Sequence, residues 1–136
     1  MSTFNLKINA LENGWADLSL SVGEDKKTLY FENVPVDTMY EILESARRIA
    51  GGIESIVTLY NGSYREYLSI RRVDSDFCHI EIDDWCFKLP IRTYCKAILR
   101  MFDTYVYQFS TDTYTRNWGV FPQYELEKLR AQYHAL

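Results

Sequence analysis

Residues 4–22 read FNLKINALENGWADLSLSV, and the alternation within them decides the fold. Phe4, Leu6 and Ile8 alternate with polar neighbours, the mark of a strand with one buried face. Asn13-Gly14 follows, a pair that tolerates positive φ and so closes tight hairpins. Ala16, Leu18, Leu20 and Val22 then alternate with Asp17, Ser19 and Ser21, a returning strand with one wet face. A polar turn over 23–27 leads to a short third strand, Thr28 to Phe31. Together they predict an antiparallel meander.

Beyond the meander the period changes. Asp37 suits a helix N-cap, because its carboxylate accepts from an orphan amide. Met39, Ile42, Leu43, Ala46, Ile49 and Ala50 then recur every three or four residues, the stripe of an amphipathic helix that Gly51-Gly52 ends. Ile53 to Tyr60 reads as a strand and Asn61-Gly62 as a second hairpin turn. Tyr64 to Val73 and Phe77 to Phe87 read as two more strands around an Asp74-Ser75-Asp76 turn. Pro90 suits the first turn of a helix whose stripe runs from Ile91 through Tyr94, Ile98, Phe102 and Tyr105 to Phe109. Ser110 to Gly119 reads as a loop, and Phe121-Pro122 opens a last helix. The order βββαβββαα predicts an α+β fold: one antiparallel sheet of about six strands, with helices on one face and the other face wet.

The 136 residues suit a single domain over 1–136, and neither a linker nor an internal repeat divides them. Apolar residues at 47% supply a core without staples. The net charge of −4 lacks the basic excess that displaces counterions from phosphates, which argues against nucleic acid. Cys78, Cys86 and Cys95 are odd in number and form no CxxC pair, so reduced thiols are expected. The first ten residues lack a signal-peptide core, and no apolar run approaches the ~20 residues of a membrane span. A cytoplasmic protein with no membrane partner is the expectation.

The candidate working surface is acidic. Asp74, Asp76, Glu81, Asp83 and Asp84 fall within eleven residues, with no Lys or Arg among them. Grouped carboxylates repel, which suits a face that meets a basic protein partner; the plainer reading is a turn and wet sheet face kept acidic for solubility. His79, Glu81 and Asp83 share one side of a strand, but a single strand rarely closes a metal sphere, so no metal or cofactor is expected. Tyr64 to Arg72 interleaves aromatics with bases, as base-stacking sheets do, although cross-strand Tyr pairs also stabilise sheets. Cys78 and His79 point to opposite faces and cannot act as a dyad, so no catalytic residue is assigned. Trp15 and Trp118 suit either surface anchors or covers for a core edge.

The stretch Leu11-Glu12-Asn13-Gly14-Trp15-Ala16-Asp17-Leu18 resembles the "GWA" hairpin of small bacterial proteins of unknown function. Phe121-Pro122-Gln123-Tyr124-Glu125-Leu126-Glu127-Lys128-Leu129 resembles the "FPxxELExL" segment near their C-terminus. Such proteins are similar to immunity proteins of polymorphic toxin systems. The resemblance implies a non-catalytic binding protein that neutralises a toxin by direct contact, and it carries no catalytic residues. The acidic run fits a basic toxin domain. The alternatives are a self-associating structural domain, with homodimer contacts from exposed aromatics, and an enzyme with a carboxylate or His79 site.

Overall fold

The computed structural model describes residues 3–136. In chain order the elements are β1 (Phe4–Glu12), β2 (Trp15–Val22), β3 (Asp25–Glu32), α1 (Thr38–Ala50), β4 (Ser55–Asn61), β5 (Tyr64–Arg72), β6 (Phe77–Ile82), β7 (Trp85–Pro90), α2 (Ile91–Gln108), α3 (Thr111–Asn117) and α4 (Gln123–Ala135). The α+β class stands, but the single six-stranded sheet does not. Two antiparallel sheets form, β1-β2-β3 and β4-β5-β6-β7, and the order is βββαββββααα.

The extra strand comes from the stretch Phe77 to Phe87. Asp83 takes φ 51°, so the chain turns at Asp83-Asp84 and β7 runs back along β6, with Ile82 opposite Trp85 and Cys78 opposite Leu89. Pro90 ends that strand and caps α2 from extended backbone rather than lying in the helix's first turn. The extra helix comes from the loop expected over Ser110 to Gly119. Ser110 Oγ accepts from Thr113 N (3.2 Å), which starts α3. Asp37 caps α1 as read, accepting from Tyr40 N at 3.1 Å.

One side of each sheet is buried. Leu6, Ile8, Leu18, Leu20, Leu29 and Phe31 supply it in the first sheet; Val57, Leu59, Leu68, Ile70, Cys78, Ile80 and Ile82 supply it in the second. They join Met39, Leu43, Tyr94, Ile98 and Phe102 of α1 and α2 in one continuous core. Tyr94 is buried with its hydroxyl 2.8 Å from Ser45 Oγ, so its polar tip is satisfied inside the core. No helix among the described residues is long and apolar enough to cross a membrane.

The two stretches that carry the resemblance both do structural work. Gly14 takes φ +81°, and a Cβ there would lie 2.7 Å from Asn33 Oδ1. Its amide donates to Asn117 O (2.8 Å), which ties the first hairpin to the end of α3. Phe121 meets the Tyr114 ring edge-on at 5.1 Å and the Phe102 ring at 6.3 Å.

Candidate functional site

Strand pairing sets the outward face of the β4–β7 sheet. Side chains alternate, so the neighbours of the buried residues look outward. One row across the face is Ile56, Ser69, Glu81 and Cys86; a second is Arg71, His79 and Lys88. Tyr67 lies opposite Thr58 in the next row. Ile56 is 65% exposed and Tyr67 53%. Arg65 lies over the Tyr60 ring (5.2 Å) and Lys88 over the Phe77 ring (4.7 Å), so two cations of this face rest on aromatic planes. The helices pack against the opposite, buried side, through α1 on β4 and β5 and α2 on β7.

The five acidic residues do not form one patch. Asp74 and Asp76 lie in the β5–β6 turn, Asp83 and Asp84 in the β6–β7 turn, and β6 separates the pairs by about 20 Å from its rise per residue. Only Glu81 lies on the strand between them, with Arg71 and Lys88 close by on the neighbouring strands. Asp74 Oδ1 accepts from the amides of Asp76 (2.8 Å) and Phe77 (2.9 Å), and these bonds hold its carboxyl below the usual range. Asp76, Glu81 and Asp84 are in no salt bridge among the described residues.

Asp83 leaves the face that His79 and Glu81 share. Its Oδ2 is 2.6 Å from Lys27 Nζ of β3. Lys27 also lies 3.4 Å from Glu66 Oε2, an ion-pair contact without hydrogen-bond geometry, which leaves that buried oxygen undonated. Burial, and after it the Asp83 carboxylate, push the Glu66 carboxyl up; hydrogen bonds from Glu66 and Lys27 hold Asp83 down. The hydrogen bond to Asp83 raises Lys27. This triad joins the two sheets, with Glu66 half-buried and Asp83 at the exposed end, and its carboxylates are already engaged by Lys27.

One pairing went unread in the sequence. Cys86 Sγ lies 3.0 Å from His79 Nε2 and 3.9 Å from Glu81 Oε2. The hidden β6–β7 turn is the reason, since it places Cys86 opposite Glu81 and one diagonal step from His79. Imidazole can take a thiol proton at that distance. The pair sits on the open sheet face beside a shallow cleft of about 230 Å³ that Val22, Asp25, Trp85 and Phe87 line with Cys86. Among the described residues no group of three His, Cys, Asp or Glu side chains is arranged to hold a metal ion.

The three thiols are free but differ in access. Cys78 and Cys95 are buried, and burial pushes each up to about 12, whereas Cys86 is exposed. Titration of the folded protein with a disulfide reagent at pH 8 is expected to modify Cys86 alone; all three react in guanidinium. Rapid modification of more than one thiol in the folded state would contradict this packing.

No protein-family model, curated protein or solved structure matches the chain.

Proposed function

We propose that the chain is a non-catalytic protein-binding domain of the immunity type, which neutralises a toxin domain through the outward face of the β4–β7 sheet. The observation that carries this reading is the uncovered face itself. Ile56 and Tyr67 stand exposed on a rigid sheet, with Glu81 beside them and Asp76 and Asp84 in the turns at its two ends. Apolar and aromatic anchors within a charged rim are the composition of a protein interface. Asp76, Glu81 and Asp84, in no salt bridge among the described residues, are the groups that would meet basic side chains of a partner, within a rim of mixed charge that also holds Arg65, Arg71 and Lys88. Asp74 and Asp83 drop out of the contact set, because turn amides and Lys27 already occupy them.

The test compares three proteins: the wild type, Ile56→Ala/Tyr67→Ala, and Asp76→Lys/Glu81→Lys/Asp84→Lys. Each is used to capture its partner from the source cell, with mass spectrometry to identify it. The first variant is expected to lose at least about tenfold in affinity, the scale of truncated interface anchors. The second is expected to lose affinity most at low salt. Capture of the same partner undiminished by both variants refutes the face. If the partner is a toxin that still kills cells producing this chain, the immunity reading fails even where the contact holds.

A further inference from the structure

We infer that the free edge of β1 and the helix α2 beside it form a docking groove for an extended, carboxylate-rich segment of a partner protein. The inference needs neither the outward face of the β4–β7 sheet nor the immunity reading.

β1 is the outer strand of its sheet and pairs only with β2. Gly23 N donates to Thr3 O (2.8 Å), and the register continues Asn5 to Ser21 and Lys7 to Ser19. In an antiparallel pair the bonded residues alternate. The odd-numbered residues therefore bond β2, and Phe4, Leu6 and Ile8 turn their amides and carbonyls to the free edge. Among the described residues no other backbone group bonds these three. Such a row is a template for one more strand.

Along this edge lie two clefts of about 280 and 270 Å³. The first spans Thr3 to Asn5 and meets Thr93, Lys96 and Arg100 of α2; the second spans Asn5 to Ile8 and meets Arg100, Met101 and Thr104. Strand and helix thus advance together in the same direction. The rise from Lys96 to Arg100 is about 6 Å, from four helical residues. Alternate side chains of an added strand are spaced about 6.8 Å. One side of that strand would set successive side chains against Lys96 and Arg100 in step.

The charge then selects the occupant. Lys7, Lys96 and Arg100 line the two clefts, all three are exposed, and no carboxylate lines either one, in a chain of net charge −4. None of the three cations is in a salt bridge among the described residues. A third cleft farther along carries Glu12 and no cation, so the acidic part of the occupant belongs to the Thr3–Ile8 half. A lysine on an edge strand also guards against unwanted pairing. That role needs Lys7 alone and does not account for Lys96 and Arg100 on the helix. A second copy pairing through its own β1 would bring both sets of cations together, which like-charge repulsion opposes.

The probe is a fluorescein-labelled nine-residue peptide alternating glutamate with valine, read by fluorescence anisotropy. The folded protein is expected to bind it and to bind the lysine-for-glutamate version at least tenfold more weakly. Lys96→Glu/Arg100→Glu, two exposed positions that leave the core intact, is expected to weaken the glutamate peptide at least tenfold. N-methylation of one alternate set of peptide amides is expected to abolish binding and of the other set to spare it. Ile56→Ala/Tyr67→Ala is expected to bind the peptide as the wild type does. Absence of binding at millimolar protein, or equal binding of the lysine peptide, overturns the proposal. Indifference to both methylation sets overturns strand addition, and displacement of the peptide by a single-stranded oligonucleotide makes the groove a general polyanion site and overturns the peptide assignment.

Discussion

Trp118→Ala is expected to cost the protein about 4 kcal/mol of stability, the middle of the range for a large aromatic truncated in a core. The residue is 4% exposed and meets the Phe31 ring edge-on, with centroids 5.8 Å apart. Its Nε1 donates to Asp37 Oδ1 (2.7 Å), the same oxygen that accepts from Tyr40 N at the start of α1. Its carbonyl accepts from Asn33 Nδ2 (2.6 Å), and the preceding carbonyl, Asn117 O, accepts from Gly14. Three chain segments meet here: the first hairpin, the start of α1 and the end of α3. Truncation opens a cavity against Phe31 and withdraws a donor from Asp37 together. Trp118→Phe separates the two effects. It keeps most of the packing and loses only the hydrogen bond, so a cost of about 1–2 kcal/mol is expected. Urea unfolding of both variants at pH 7 is the measurement. Equal midpoints for Trp118→Ala and the wild type would show that the joint does not hold the fold.

Of the two readings open to Trp118 in the sequence, the structure gives the cover for a core edge. It splits the pair, because Trp15 is 46% exposed. The first hairpin and α1 were readable because single local signals fixed them: Asn13-Gly14 at the turn, Asp37 at the cap, Gly51-Gly52 at the stop. The β6–β7 turn had no such signal. Asp83-Asp84 lacks a glycine; the alternation of Cys78, Ile80 and Ile82 does break at Asp84, but with no residue of the usual hairpin pair to mark a turn, Phe77 to Phe87 passes as one strand. α3 was lost for the opposite reason. Tyr114 is its one apolar anchor among six polar residues, too few for a stripe, and only Ser110 marks where it starts. The split into two sheets depends on how β3 meets β4, a long-range matter that periodicity does not encode.

The same missed turn shaped the reading of the site. Five acids within eleven residues look like one surface along a straight chain. A reversal at Asp83 instead puts β6 between the two turns and turns Asp83 towards Lys27. It also creates the Cys86–His79 contact, which two residues seven positions apart do not announce. Edge and groove are likewise invisible locally. Lys7, Lys96 and Arg100 come together only because α2 runs beside β1.

Lys27→Met is the second large effect, an expected loss of about 2 kcal/mol at pH 7. Breaking a buried pair costs about 3–5 kcal/mol and an exposed pair about 0–1. With side-chain exposures of 22% for Lys27, 13% for Glu66 and 35% for Asp83, this triad falls between them. Methionine fills the space beside Leu20 but leaves two facing carboxylates. The pH dependence identifies the cause. Lys27 is raised above 10.5, so its contribution is present below that value and is lost as pH rises through the folded one. Asp83 is depressed, so its contribution holds above about 3.8 and fades as pH falls through its lowered value. Glu66 runs the other way: being raised above 4.5, it favours the fold when protonated and loses that advantage as pH rises through its folded value. Without Lys27 the Glu66 carboxyl rises further, since the lysine was holding it down. The gap between wild type and Lys27→Met is therefore expected to narrow as pH falls below 7 and the raised Glu66 carboxyl takes up its proton and shares it with Asp83. Adding Glu66→Gln to Lys27→Met is expected to recover part of the loss at pH 7 and progressively less as the pH is lowered, a coupling that a double-mutant cycle reads directly. A deficit that stays constant from pH 4 to 8 and ignores Glu66→Gln would assign Lys27 a packing role and remove the ionic clip between the sheets.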